Sequence, residues 1–185
     1  MPNLRPFRQV SENDVINLFA HATATDLNKG TLVVPSVGWL NTNEPLAEVG
    51  SPGASYANTV SNRYATVAKV TTAGAGNAPL GMTLYDIKET DENGEKLIFN
   101  PRKAAEMQVV LSGQTVPIAT RGIFLYSGAT LAGQTPAVNT KLYCGANGEL
   151  TTVAASNVKV AVALGGKDAN NHVLIYLDCA AGGNS

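Results

Sequence analysis

Residues 158–178, VKVAVALGGKDANNHVLIYLD, decide the fold. Val158–Leu164 and Val173–Asp178 are short runs rich in β-branched and aromatic side chains, which suit a pleated surface better than a helix. Between them, Gly165-Gly166-Lys167-Asp168-Ala169-Asn170-Asn171 holds the residue types that turn a chain back on itself. The pair therefore reads as an antiparallel hairpin. Immediately upstream, Lys141–Cys144 and Glu149–Thr152 flank Gly145-Ala146-Asn147-Gly148 and give a second hairpin.

The same texture extends toward the N-terminus. Strands are expected at Asp14–Ala20, Gly30–Val34, Tyr64–Thr71, Leu80–Ile87, Leu97–Phe99, Met107–Ser112, Thr115–Thr120 and Gly122–Tyr126. Asp91-Glu92-Asn93-Gly94 supplies a strong hairpin signal between two of them. Only Pro101–Met107 looks helical, with Asn100 as a cap and Pro101 in the first turn. The expected fold is all-β, a compact β-barrel or β-sandwich with antiparallel hairpins, an extended N-terminal arm and one short helix. Residues 1–13 form the arm, 14–179 a single β domain with a long loop at 35–63, and 180–185 a flexible tail. The loop is set apart by Pro35, Pro45, Pro52 and the only tryptophan, Trp39.

Bulk composition narrows the function classes. The chain has 185 residues, enough for one well-buried domain. Its formal net charge is −1 and only 15% of residues are charged, below the ~25% usual for soluble domains. Such a neutral surface suits a protein packed against neighbours, and it lacks the positive footprint that nucleic acid demands. The N-terminus has no signal-peptide apolar core, and no run approaches a membrane span, so synthesis in a reducing cytoplasm is expected. Cys144 and Cys179 sit in separate strand-like runs outside any CxxC or Cys/His cluster, and read as buried thiols in preference to a disulfide.

Catalytic and cofactor chemistry finds little to work with. His21 and His172 lie at strand ends, and no nucleophile elbow, phosphate loop or zinc-protease motif occurs. Gly74-Ala75-Gly76-Asn77 lacks the helix and the Lys-Ser/Thr of a phosphate loop. Counting Glu89 as the first position of a calcium loop puts Asp91, Asn93 and Gly94 in register, but Asn100 falls where a bidentate Glu belongs. A solvated hairpin tip is the better reading. No catalytic residue, metal site or cofactor is expected. Trp39, with Tyr56 and Tyr64, offers an aromatic platform for carbohydrate or an anchor in an interface.

The arm is the best candidate for function. In Pro2-Asn3-Leu4-Arg5-Pro6-Phe7-Arg8-Gln9 the prolines remove donors and favour extended geometry, while Leu4 and Phe7 gain by leaving water. The stretch would lie on its own domain, on a sister subunit or on another protein. In the last two cases Leu4, Pro6 and Phe7 would dock while Arg5 and Arg8 pair with carboxylates; Trp39 joins them as an interface candidate.

Leu4–Gln9, Asn13–Phe19 and Asn28–Val33 resemble the N-terminal signature of small virion structural proteins of tailed phages, particularly those infecting cyanobacteria. The remainder, with Val116–Leu125 and the Lys141–Leu150 hairpin, is similar to capsid decoration (cement) proteins. The resemblance implies a non-enzymatic β-domain that binds the major capsid protein on the capsid exterior as a homo-oligomer, a trimer in particular, and reinforces contacts between capsomers. It implies neither nucleic acid nor membrane as a partner. The competing expectation is a virion appendage that binds carbohydrate or a host receptor through the 35–63 loop.

Overall fold

A computed structural model describes residues 2–7, 11–18, 20–21, 26–37, 68–111 and 113–179. Strands are numbered along the chain. The first sheet runs in the order β1 (Asn3–Pro6), β10 (Arg121–Ser127), β14 (Val173–Asp178), β13 (Lys159–Ala163), β11 (Lys141–Cys144) and β12 (Leu150–Thr151). Every pairing in it is antiparallel, and both C-terminal hairpins form as their turn residues require. The second sheet runs β2 (Val15–Ile16), β9 (Ile118–Ala119), β6 (Gly81–Thr83), β4 (Leu32–Val37), β5 (Lys69–Thr72) and β3 (Ala20–His21).

Alternation explains how the sheets face each other. Along β14, Val173, Ile175 and Leu177 are fully buried while the residues between them are half-buried. They join Phe124 and Tyr126 of β10, and Leu32, Met82 and Ala119 of the second sheet, in one core. Burial of each large side chain contributes roughly 1.5–3 kcal/mol, so the shared core is what holds the sheets together. The architecture is a β-sandwich. Gly148 lets the β11–β12 turn close on the second sheet: φ is +67°, and a Cβ there would lie 2.6 Å from the Thr31 methyl and 2.7 Å from the Leu32 carbonyl oxygen.

Several elements depart from the sequence expectation. Leu97–Phe99 is a 3-10 turn, not a strand. Leu97 leaves the sheet because it packs into a small side core with Ala104, Val109 and Leu111. The turn at Asn93-Gly94 does form, with Asp91 N–H donating to the Glu95 carbonyl at 2.9 Å. The chain then passes into α1 (Pro101–Glu106) and returns as β8 (Val109–Val110), which pairs in parallel with β7 (Asp86–Ile87). A parallel pair needs such a crossover. A second helical turn, α2 (Ala129–Ala132), adds to the single helix expected. The 35–63 loop starts later than expected, since β4 runs through Pro35 to Val37. Pro35 is accommodated at a register shift against β5. Residues 38–67 and the tail 180–185 lie outside the described residues.

Candidate functional site

The arm is rooted in the sandwich. Over Asn3–Pro6 it is an edge strand, with Leu4 opposite Tyr126 and Arg5 opposite Leu125. Leu4 is 2% exposed and belongs to the main core. Its Cβ lies 3.2 Å from where a Cβ on Gly30 would stand, and Gly30 has a φ of +87°. The apolar side chain of residue 4 is therefore satisfied within this chain, which corrects the expectation that it docks elsewhere. Arg5 and Pro6 remain exposed, and Phe7 is 61% exposed. Arg8 and Trp39 lie outside the described residues.

The prolines turn out to have a positional logic. Phe7 N–H donates to the Ile123 carbonyl across the pair at 3.1 Å. Donors alternate direction along a strand, so Asn3 and Arg5 also point inward, whereas positions 2, 4 and 6 point to the open edge. Two of those three are proline and have no N–H to offer. The edge is blunted against adding another strand. Any contact made by β1 falls to side chains, and the outward-facing ones are Arg5 and Phe7.

Those two residues open onto a surface that sequence reasoning passed over. Arg5 and Phe7 point away from the core, beside Leu125 and Ile123 of β10, and Leu174 and Tyr176 of β14 follow on the same face. The signal was present in IFLY (123–126) and VLIYL (173–177), which are apolar at every position rather than at every second one. Unbroken apolar runs mark strands with an apolar residue on each face.

The titratable groups elsewhere build turns. Asp91 accepts N–H bonds from Asn93 and Glu95, both at 2.8 Å, and pairs with Lys103 of α1. The Lys103 hydrogen bond holds the Asp91 carboxyl below its ordinary value despite the cost of burial, and the same bond raises Lys103. The Asp91 carboxylate, one donor of the calcium-loop register, is thus engaged within the chain. Asp168 receives the N–H groups of His172 and Asn170, which lower its pKa, and His172 Nδ1 lies 3.4 Å from its carboxylate. Burial opposes the Glu149 charge, but the hydroxyl and N–H of Thr130 outweigh it at the start of α2 and leave the pKa lowered.

Both cysteines are free thiols. Burial pushes Cys144 up to about 11 and Cys179 up to about 12, so neither is a nucleophile at neutral pH. Burial also raises the Tyr126 phenol, whose oxygen accepts the Leu150 N–H at 3.1 Å. Among the described residues, no three His, Cys, Asp or Glu side chains gather as a metal site.

Residues 104–177 match the family model for phage cement protein. The chain resembles a phage capsid cement protein. The match begins in α1 and ends one residue short of the end of β14, so it spans β8 to β13 and nearly all of β14. It falls on the Val116–Leu125 and Lys141–Leu150 segments, not on the N-terminal stretch, and β1 enters the matched sheet from outside it. The match supports a capsid cement function and a place on the virion capsid. No curated protein and no solved structure matches the chain.

Proposed function

We propose that this chain decorates the outer surface of a phage capsid as a homo-oligomer, a trimer, and reinforces the contacts between capsomers by binding the major capsid protein. The observation that carries this reading is the cement-protein match, which takes in five of the six strands of the first sheet. The role is mechanical. A sandwich with one shared core transmits load without rearranging, because close-packed interiors deform little. Several weak contacts per oligomer add by avidity, since a particle held at one point presents its other contacts at high effective concentration.

In this reading Phe7 buries its ring on the shell, Pro6 at the open edge stiffens the strand that carries it, and Arg5 forms charge-assisted bonds to carboxylates. Leu4 contributes indirectly: by fixing β1 in the sheet it orders the neighbouring contact residues before binding and lowers the entropy lost on docking. Synthesis is in the host cytoplasm, and neither DNA nor membrane is touched.

The test is co-sedimentation of the purified chain with shells of the encoding phage assembled without it. The wild type should sediment with shells at a fixed saturating ratio, and Arg5→Ala/Phe7→Ala should bind more weakly. Light scattering should give the mass of three chains. A wild type that stays in the supernatant at every shell concentration refutes the reading.

A further inference from the structure

We infer that the outer face of the first sheet, from Phe7 across to Lys141, is the surface that docks on the shell, and that it selects a protein surface with an apolar centre and an acidic rim. The inference rests on the cement reading and names the surface that performs it. One row of cross-strand neighbours runs Phe7, Ile123, Tyr176, Val162 and Lys141. A second runs Arg5, Leu125, Leu174 and Leu164, the last linked by its N–H to the Leu174 carbonyl at 2.8 Å. Five strands at the ~4.8 Å sheet spacing make this surface about 20 Å wide. Phe7 and Leu164 are 61% and 41% exposed, and the apolar side chains between them are half-buried.

An outward sheet face normally alternates to polar residues, as the inner face is already committed to the core. Here the centre is Ile123, Tyr176 and Val162 on one row and Leu125 and Leu174 on the other. Contiguous exposed apolar area of this kind marks an interaction surface. A bulge sharpens it. The register shift at Leu142/Tyr143 turns Val160 and Ala161 both inward, and Lys159 comes out beside Tyr143 instead of burying.

Charge selects the occupant. The face carries Arg5, Lys141 and Lys159, together with Arg121, which is paired with Asp178 at 3.5 Å. That Asp is the only carboxylate among the described strand residues of the face, so its uncompensated charges are all basic, around an apolar middle. A second copy bringing the same face would oppose like charges, which costs affinity. A capsid surface with carboxylates around an apolar patch satisfies both parts.

The experiment compares shell binding of three variants whose folding is checked by thermal unfolding. Leu174→Gln/Tyr176→Gln removes the apolar centre, Lys141→Glu/Lys159→Glu reverses the rim at solvent-accessible positions, and Phe99→Ser alters the 78%-exposed ring beside α1 as a control. The first should bind shells at least about tenfold more weakly, as for central interface residues, the second should bind more weakly through like-charge repulsion, and the control should match the wild type. Added salt should weaken wild-type binding. If the wild type binds and both face variants bind equally well, this inference falls and the cement reading stands. If the face variants instead lower the oligomer mass in light scattering, the face joins copies of the chain and the inference is overturned. Shells that take up no wild type sink the cement reading and this inference with it.

Discussion

At the scale of single residues, Leu4 and Phe7 look equivalent in the sequence and play opposite parts in the fold. Leu4 is 2% exposed in the main core and Phe7 is 61% exposed. Leu4→Ala should therefore cost roughly 2–5 kcal/mol of stability, while Phe7→Ala should leave the denaturant midpoint unchanged and act only on shell binding. Equal midpoints for the two variants would contradict the burial of Leu4. The two could not be told apart from spacing alone, because which face a strand buries depends on the sheet it joins. Asp91 gives a pH prediction. Its hydrogen bond to Lys103 holds its pKa below the ordinary 3.8, so the pair adds stability above about pH 4 that is lost as acid protonates the carboxylate. Asp91→Asn should lower the melting temperature at pH 7 and flatten its fall below pH 4. Some slope should persist, because Glu149 and Asp168 are lowered too. A variant with an unchanged acid limb would show that the pair adds nothing.

Elements were legible where local turn chemistry and strand pairing agree. The hairpins β11–β12 and β13–β14 follow from Asn147-Gly148 and the 165–171 turn, and α1 follows from Pro101 and its neighbours. Leu97–Phe99 was misread because a three-residue apolar run fits a strand or a 3-10 turn equally, and the side core with Ala104 decides it. Helix α2 escaped because ATLA is one turn long and draws support from Glu149, nineteen residues away along the chain. The prolines of β1 yield a prediction that belongs to the element. Pro2 and Pro6 occupy two of the three outward donor positions from Pro2 to Phe7. Pro2→Thr/Pro6→Thr restores those donors without touching the core, so the purified variant should self-associate at concentrations where the wild type keeps its mass. Identical light-scattering mass and identical solubility would mean the edge is protected by something else.

For the whole molecule, the all-β class was readable because nearly every apolar run is short and β-branched. The choice between barrel and sandwich was not, since it depends on which strands close a sheet. The surface was the least legible part: IFLY and VLIYL mark strands apolar on both faces, but only the pairing of β1, β10, β14 and β13 shows that their outward residues line up as one patch. In the proposed function, the sandwich binds the assembled shell and not its dissociated subunits. A ligand that binds only the assembled state raises its stability in proportion to the logarithm of free ligand over Kd. Shells incubated with increasing amounts of this chain should therefore disassemble at progressively higher temperature, and the rise should continue logarithmically after the sites fill. Arg5→Ala/Phe7→Ala should need more protein to reach the same shift, because it changes Kd without changing the fold. The Leu4→Ala variant should fail differently: it should protect at low temperature and lose protection where its own sandwich unfolds. Differential scanning calorimetry of the mixtures separates the two patterns. A shell transition that stays fixed at full occupancy would leave a protein that coats the capsid without cementing it.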